Sequence, residues 1–332
     1  MMSEPNLKKE DYERAISTVT LGATSAEGGS RSSSYRIGGG TTPPFRYFEG
    51  YFSQKPLIAH DIFDTPIPLP GHVREHFGDA MNDPAEWAKL RVKKFGAKAI
   101  TLHMVSTDPK THNTSISDAC KTIESVLSAV KVPLIIGGSG SPLKDPELLE
   151  KAAEVCSGEK VVLSTVDPDM DYPRVAKAAI AHGHSIISLV SMNPDEMRRL
   201  NKNLMRIGMK PENMIMDLFT GGVGYGVEYS ISAMERCRLA GLRGDSYLAL
   251  PIASATSNAW SAREAWMRND SWGPREHRGP LWETMTASMA LLSGADLFMM
   301  LHPSSIKYME DLIDSLFSKK KPEDNDLRWL EL

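Results

Sequence analysis

From residue 55 onward, short apolar runs alternate with amphipathic segments, and this pattern restricts the fold more than any other feature of the sequence. The eight apolar runs occupy residues 55–63, 97–105, 132–137, 160–166, 185–191, 213–219, 247–253 and 295–301. Each run is short and rich in Ile, Val and Leu, without regular polar alternation, which is typical of strands buried on both faces. We therefore predict eight strands that lie inside the protein.

The segments between these runs carry helix signals. A capping residue and a proline open four of them, at Asn82-Asp83-Pro84, Asp145-Pro146, Asp171-Tyr172-Pro173 and Asn193-Pro194. The other four helices are expected at 114–130, 228–241, 279–293 and 303–317. Eight alternating strand–helix units imply parallel strands, and such a set closes into a TIM barrel. The alternative, a doubly wound sheet, would need a GxGxxG turn after the first strand, which the sequence lacks.

The first 54 residues do not continue this pattern. Residues 17–23 and 34–37 flank the turn-forming sequence EGGSRS, which is the pattern of a β-hairpin. We expect this hairpin to plug one end of the barrel. The predicted organisation is an N-terminal extension with the hairpin (1–54), a (β/α)8 barrel (55–318) and a solvated C-terminal tail (319–332).

Charge and hydropathy exclude several functional classes. The chain has 38 Lys plus Arg against 42 Asp plus Glu, a net charge of −4, so it lacks the basic surface that binds nucleic acid. No apolar run approaches the ~18 residues of a membrane span. The N-terminal sequence MMSEPNLKKEDYER is charged and has no apolar core of a secretory signal. We expect a cytoplasmic protein with no membrane partner.

The cysteines exclude a metal cluster held by this chain alone. Cys120, Cys156 and Cys237 are far apart in the sequence, and no CxxC pair is present. A four-cysteine iron–sulfur cluster or a structural zinc site therefore cannot be built. We interpret the three cysteines as small buried side chains.

The ends of the predicted strands are where a TIM barrel carries its functional site. Here they are followed mostly by Gly, Ser and Thr with a few carboxylates. No Lys stands there for Schiff-base chemistry, and the sequence has no HExxH metal motif or GxSxG nucleophile elbow. Small residues let a backbone approach a large flat ligand closely, but they also simply begin loops.

Residues 217–230, DLFTGGVGYGVEYS, form the strongest local signal, with four glycines in six residues between a strand and a helix. A phosphate cradle is one interpretation, although neither the Walker spacing nor GxGxxG fits. A loop that lies flat against a large ligand or a partner is the favoured interpretation. Asp217 could equally cap a helix or organise the loop.

At this point the sequence resembles a known family. The run GGVGYGVEYS at 221–230 looks like the glycine motif of the small subunit of the corrinoid/iron–sulfur protein, which is the delta subunit of acetyl-CoA decarbonylase/synthase. Further matches follow in order across roughly residues 15–305. They are LGAT at 21–24, GGSR at 28–31, FEG at 48–50, NDP at 82–84, MER at 234–236, WG at 272–273, GPLWE at 279–283 and HP at 302–303.

This resemblance implies a TIM barrel that pairs with a larger subunit carrying an iron–sulfur cluster and a cobalamin domain. The corrinoid would lie at the interface, over the rim of this barrel, and carry methyl from a methyltetrahydropterin toward acetyl-CoA synthesis. A pterin methyltransferase and acetyl-CoA synthase would be transient partners. The resemblance implies no catalytic residue, metal ligand or iron–sulfur cluster on this chain. The candidate corrinoid-binding residues are Gly137, Gly138, Ser139, Ser164, Thr165, Ser191, Asp217, Thr220, Gly221, Gly222, Gly224, Tyr225, Ser254, Thr256 and His302.

Some positions depart from the family pattern. Leu218, Phe219 and Thr220 stand where a Pro-Ser-Ile-like segment is more usual. The second strand ends in His103 and Val105 rather than Lys- and Asp-like residues, and the fourth ends in Ser164-Thr165 rather than Asn. These departures leave the methyl donor and acceptor open.

Two alternatives to the carrier function remain. The first is a methyltransferase that binds a methyl-pterin in the barrel mouth, with Asp61, Asp167, Asp217 and Asn193 as candidates for holding the pterin ring. The second is a scaffold barrel with no ligand of its own.

Overall fold

The computed structural model describes residues 9–317, so the tail expected at 319–332 lies outside the described residues. Ten strands are present in this range. They are β1 (Thr18–Leu21), β2 (Tyr35–Gly38), β3 (Leu57–Phe63), β4 (Ala99–His103), β5 (Leu134–Gly137), β6 (Val162–Val166), β7 (Ser185–Leu189), β8 (Met214–Asp217), β9 (Ile252–Ala255) and β10 (Ala295–Met300). Strands β3 to β10 pair in parallel and close into an eight-stranded barrel, with β10 adjacent to β3. The predicted fold class is confirmed.

Helices follow the barrel strands as the alternation predicted. The α-helices are α1 (Gly71–Arg74), α2 (Pro84–Phe95), α3 (Ile116–Ala129), α4 (Asp145–Val155), α5 (Tyr172–His182), α6 (Pro194–Ile207), α7 (Val227–Leu242), α8 (Arg263–Trp266), α9 (Arg275–Leu292) and α10 (Pro303–Phe317). The capping signals act as read from the sequence, because Asp83, Asp171 and Asn193 each accept backbone N–H groups from the first turn that follows them.

Two predicted boundaries are wrong. The strand expected at 247–253 begins only at Ile252, although Leu248, Ala249 and Leu250 are buried. Their apolar character reflects packing, since the backbone of Leu248 passes close against Gly241 on α7. The helix expected at 279–293 begins earlier, at Arg275, and so includes Pro280 within its first two turns. An apolar run therefore predicts burial more securely than it predicts a strand.

The N-terminal hairpin closes one end of the barrel, as expected. β1 and β2 pair antiparallel, and Val19, Leu21 and Ile37 pack against the inward-facing side chains of the barrel. Gly22 N donates to Lys160 O at 2.9 Å, just before β6, so the hairpin covers the ends at which the strands begin. The opposite end, where the strands finish, is left for a functional site.

Candidate functional site

The predicted ligand-binding residues lie toward the C-terminal end of the barrel, in the later positions of strands or in the loops that follow them. We call this end the rim. The predicted residues differ in exposure. Six are at least partly exposed, namely Gly138, Ser139, Thr165, Ser191, Gly224 and Tyr225. The other nine are buried, namely Gly137, Ser164, Asp217, Thr220, Gly221, Gly222, Ser254, Thr256 and His302.

The glycine loop, defined here as residues 217–226, is held by its own hydrogen bonds. The Asp217 carboxylate accepts from Phe219 N at 2.8 Å, which is the loop-organising role considered for this residue. The Ser230 hydroxyl accepts from Gly221 N and donates to Phe219 O, both at 2.9 Å. Trp282 on α9 donates its indole N–H to Val223 O at 3.1 Å. These contacts fix the loop before any ligand arrives.

The glycines of this loop serve two purposes. A Cβ at Gly221 would lie 2.6 Å from Tyr225 O, so only glycine fits where the loop folds back on itself. By contrast, a Cβ at Gly224 would meet nothing within 4 Å, and this residue has a φ of +74°. Gly221 is thus explained by packing, whereas Gly224 leaves an uncovered stretch of backbone on the rim.

Aromatic side chains stand exposed beside this loop. Phe219 is 42% exposed, Tyr225 is 43% exposed, and Tyr229 in the first turn of α7 is 64% exposed. Phe219 also has a φ of +58°, a region that a bulky residue seldom adopts. The Tyr225 hydroxyl donates to Glu264 at 2.7 Å and so ties the glycine loop to the long loop after β9. The rim therefore presents an apolar surface on a rigid backbone.

The small residues after β5 are explained by an internal carboxylate. Asp145, at the start of α4, accepts from Ser139 N at 3.0 Å and Gly140 N at 2.7 Å. A Cβ at Gly138 would lie 2.4 Å from the same carboxylate. Burial nevertheless raises the pKa of Asp145, against the lowering effect of these hydrogen bonds. This loop wraps an anion that belongs to the protein itself.

Several buried candidates also make internal contacts. The hydroxyls of Thr220 and Ser254 lie 2.7 Å apart, and Thr256 donates to Met299 O at 3.3 Å. The His302 ring stacks on Trp260 with centroids 5.8 Å apart, and burial lowers its pKa to about 3. These groups hold the loops to the barrel and do not face open solvent.

Two aspartates occupy the mouth of the barrel. Asp217 is almost fully buried, and burial raises its pKa to about 7 because the Phe219 N–H only partly offsets the loss of water. Asp61 on β3 is completely buried, and neither of its carboxylate oxygens receives a hydrogen bond from the described residues. The hydroxyl of Thr101, paired with Asp61 in the β3–β4 register, is likewise unbonded. The mouth thus holds buried polar groups that have no hydrogen-bond partner among the described residues.

The other two pterin candidates have ordinary structural roles. The Asp167 carboxylate accepts from Asp169 N at 2.8 Å within its own loop. Asn193 caps α6 by accepting from Asp195 N at 3.1 Å and Glu196 N at 3.2 Å. Neither contact requires a ligand.

Sequence reasoning missed two buried charges behind the mouth. Arg91 on α2 donates to Asp61 O at 2.8 Å, and burial lowers its pKa to about 9. Glu283 on α9 accepts from His302 N at 2.9 Å and from the Trp260 indole at 3.1 Å, and burial raises its pKa to about 7. Arg91 lies four residues after the buried Trp87, so the two share the inner face of α2. This spacing was the sequence signal that could have indicated the burial of Arg91.

Residues 9–317 contain no group of three or more His, Cys, Asp or Glu side chains arranged to hold a metal ion. Burial raises the pKa of both Cys156 and Cys237 to about 12, which keeps them as thiols. Across the same range, no helix is long and apolar enough to cross a membrane.

Comparison with solved structures bears on the fold. Dihydropteroate synthase from Xanthomonas albilineans with 4-aminobenzoic acid gives a TM-score of 0.53 at 14% identity, covering 79% of this chain and 94% of that one. The Thermus thermophilus enzyme in complex with 6HMPPP gives 0.51 at 14% identity, covering 82% and 98%. At this level of identity the likeness shows the TIM-barrel fold alone.

Comparison with sequences identifies the family. The model of the CO dehydrogenase/acetyl-CoA synthase delta subunit family matches residues 18–270. The acetyl-CoA decarbonylase/synthase complex subunit delta of Archaeoglobus fulgidus is 45% identical over 318 residues, covering 94% of this chain and 70% of the relative. The protein of the same description from Methanopyrus kandleri is 46% identical over 300 residues, covering 90% and 74%. The resemblance drawn from the ordered set of motifs is thereby confirmed, and the chain belongs to the CO dehydrogenase/acetyl-CoA synthase delta subunit family.

Proposed function

We propose that this chain binds a corrinoid at its rim and carries methyl groups, as one subunit of an assembly that makes or breaks acetyl-CoA. The observation that carries the proposal is the glycine loop, a rigid backbone that is uncovered at Gly224 and flanked by exposed aromatic rings. The relatives are described as subunits of an acetyl-CoA decarbonylase/synthase complex, which supports the same assembly for this chain.

The rim residues fit a corrinoid in shape and in chemistry. A corrin ring is large and flat and carries amide side chains around its edge. The uncovered backbone beside Gly224 and the rings of Phe219 and Tyr225 offer a surface that a flat ring can approach. The hydroxyls of Thr165 and Ser191, which are at least partly exposed, can exchange hydrogen bonds with the amides. When bound, the corrinoid supplies the cobalt chemistry, and this chain supplies orientation and shielding.

The resemblance to the family implies a larger partner subunit with a cobalamin domain. The three cysteines of this chain are scattered in the sequence, so an iron–sulfur cluster that serves the corrinoid would be held by that subunit. Phe219, Tyr225 and Tyr229 would become buried in that interface, since exposed aromatic clusters mark interaction surfaces. A pterin methyltransferase and acetyl-CoA synthase would then meet the carrier transiently.

Corrinoid retention by the heterodimer tests this function. The chain is co-expressed with the candidate partner, and corrinoid is measured by absorbance after gel filtration. Gly222 is buried, and a Cβ there would lie 3.2 Å from Ala259 Cα, so Gly222→Arg must displace the loops of the rim and should abolish retention. Tyr229→Arg, which replaces an exposed ring and needs no repacking, should also abolish it. Leu292→Arg, an exposed change on α9 away from the rim, is the matched control and should retain corrinoid. Full retention by folded Gly222→Arg and Tyr229→Arg would show that the ring does not lie on this rim.

A second candidate function is favoured by the barrel mouth. The carboxylates of Asp61 and Asp217 are buried acceptors that receive few hydrogen bonds from the protein. A ligand rich in N–H groups could donate the missing hydrogen bonds. A methyltetrahydropterin has such groups, and one dihydropteroate synthase with this fold was solved with 7,8-dihydropteroate. We infer that the mouth binds the methyl donor beside the corrinoid.

Calorimetric titration of the lone chain with methyltetrahydrofolate tests the second candidate. Asp217→Asn should remove an acceptor for a pterin N–H at a cost of about 1–3 kcal/mol, roughly a five- to hundredfold loss of affinity. Asp311→Asn, an exposed change on α10, is the control. A wild-type chain that does not bind the pterin would remove this candidate and leave the carrier function standing.

A further inference from the structure

His103 and Asp61 form a carboxylate–imidazole pair at the mouth of the barrel. His103 is the last residue of β4 and Asp61 lies on β3, and both side chains point inward. His103 Nε2 lies 3.2 Å from Asp61 Oδ1, which is ion-pair distance, although the angle falls outside the range of a hydrogen bond. The Asp61 side chain is 0% exposed and the His103 side chain 23%, so the imidazole lies between the carboxylate and solvent.

The neighbours of His103 hold the ring and leave its second nitrogen uncovered. Phe63 stacks on the imidazole with centroids 4.9 Å apart and planes at 21°. On the other side, a Cβ at Gly137 would lie 3.2 Å from Nδ1, so the absence of a side chain there keeps this nitrogen clear. Within residues 9–317, Nδ1 makes no hydrogen bond. An imidazole that lies within ion-pair distance of a carboxylate at one nitrogen and is open at the other is arranged to pass a proton.

The charges around the pair come from four elements. Asp61 lies on β3, and Asp64 follows that strand and donates its backbone N–H to His103 O at 3.0 Å. Arg91 reaches in from α2 to Asp61 O. Glu283 on α9 is close enough to Asp61 for the two carboxylates to repel each other. The Asp64 carboxylate accepts a hydrogen bond from the Ser106 hydroxyl in the loop after β4.

We propose that His103, oriented by Asp61, donates the proton that the methyl donor needs when it gives up its methyl group. This rests on the second candidate function, in which the mouth binds a methyltetrahydropterin. The bond between the methyl carbon and N5 would break as the methyl group passes to a cob(I)alamin acceptor, which would supply the electron pair for the new bond to carbon. The electron pair of the broken bond stays on N5, which takes one proton from His103 Nδ1. Solvent returns the proton to the imidazole, so the charges balance over one turnover.

Methyl transfer from methyltetrahydrofolate to free cob(I)alamin tests this role, because it needs no partner subunit. Affinity for methyltetrahydrofolate is measured first by calorimetry, and the rate of cob(I)alamin loss is then followed across pH. His103→Gln should bind the pterin within about threefold of the wild type yet transfer methyl about a hundredfold or more slowly. The wild-type rate should fall as pH rises, and this fall should be absent in His103→Gln. Imidazole added to His103→Ala should restore part of the rate.

Two control variants separate proton donation from a structural role. His182→Ala changes a histidine at the end of α5, on the far side of the barrel from the mouth, and should leave rate and pH profile unchanged. Asp61→Asn should slow transfer while His103 is still present, because the imidazole loses the carboxylate that orients it.

Three outcomes would overturn the inference. A His103→Gln chain that binds and transfers methyl with the wild-type pH profile would show that another group gives the proton. A wild-type chain that binds the pterin but transfers no methyl would refute the role of His103 and leave the binding site intact. A wild-type chain that does not bind the pterin would remove the second candidate function and this inference together.

Discussion

Replacing Asp217 with asparagine should flatten the dependence of stability on pH. Burial raises the pKa of Asp217 from 3.8 to about 7 in the folded chain. A group whose pKa is raised on folding stabilises the protein fully below its unfolded pKa, and this contribution is lost as pH rises through the folded pKa. The folded chain must bury a charged carboxylate above pH 7, so its free energy of unfolding is lower there.

The magnitude follows from the two pKa values. A difference of about three pKa units corresponds to about 4 kcal/mol at 1.36 kcal/mol per unit. Between pH 5 and pH 7, Asp217 alone should lower the free energy of unfolding by about 2 kcal/mol, because the folded carboxyl is already half ionised at pH 7. Asparagine does not titrate, and its amide oxygen can still accept from Phe219 N, so the loop keeps this bond. Glu283, whose pKa is also raised to about 7, contributes equally to both proteins and cancels in the comparison.

Urea unfolding followed by circular dichroism at pH 5, 6, 7 and 8 provides the measurement. The free energy of unfolding of the wild type should fall more steeply with pH than that of Asp217→Asn, with equal denaturant slopes. Asp311→Asn, an exposed change on α10, should follow the wild type. Parallel curves for the wild type and Asp217→Asn would refute the reasoning, because they would mean that Asp217 does not titrate differently in the folded chain.

Three further predictions concern the loop, the hairpin and the cysteines. Gly221→Ala should destabilise the chain by about 1–3 kcal/mol through its clash with Tyr225 O, whereas Gly71→Ala, whose Cβ meets nothing within 4 Å, should be neutral in the same urea assay. Leu21→Ala should cost about 2–5 kcal/mol because the side chain is fully buried under the barrel, against less than about 0.5 kcal/mol for the half-exposed Leu281→Ala. The purified chain should be colourless and free of iron and sulfide, since its three cysteines are scattered.

Each of these has an outcome that contradicts it. Equal stability of Gly221→Ala and Gly71→Ala would mean that the glycine loop is loose enough to absorb a methyl group. A Leu21→Ala chain as stable as Leu281→Ala would mean that the hairpin does not seal the barrel. Stoichiometric iron in the purified chain would contradict a carrier subunit that leaves the cluster to its partner.

The sequence by itself determined the barrel, because its signals are local. Each apolar run by itself indicates a strand that is buried on both faces. A capping residue followed by proline marks the start of a helix, as at Pro84 and Pro194, whatever the helix packs against in the folded chain. The glycine motif at 221–230 and the ordered set of shorter matches across residues 15–305 were together sufficient to indicate the family. The run at 247–253 shows the limit of local reading, because half of it is buried without being a strand.

Only the tertiary structure decided which polar groups meet. Asp61 and His103 are 42 residues apart in the chain, and they face each other because β3 and β4 pair in one particular register. Asp145 appeared in the sequence as a helix start, yet it fills the loop whose glycines looked free for a ligand. In the sequence, Arg91 is one of several charged residues on α2. In the closed barrel it is buried, and its guanidinium donates to the backbone oxygen of Asp61. Burial and long-range pairing arise only when the eight strands close, and these two effects decide which side chains are left to act.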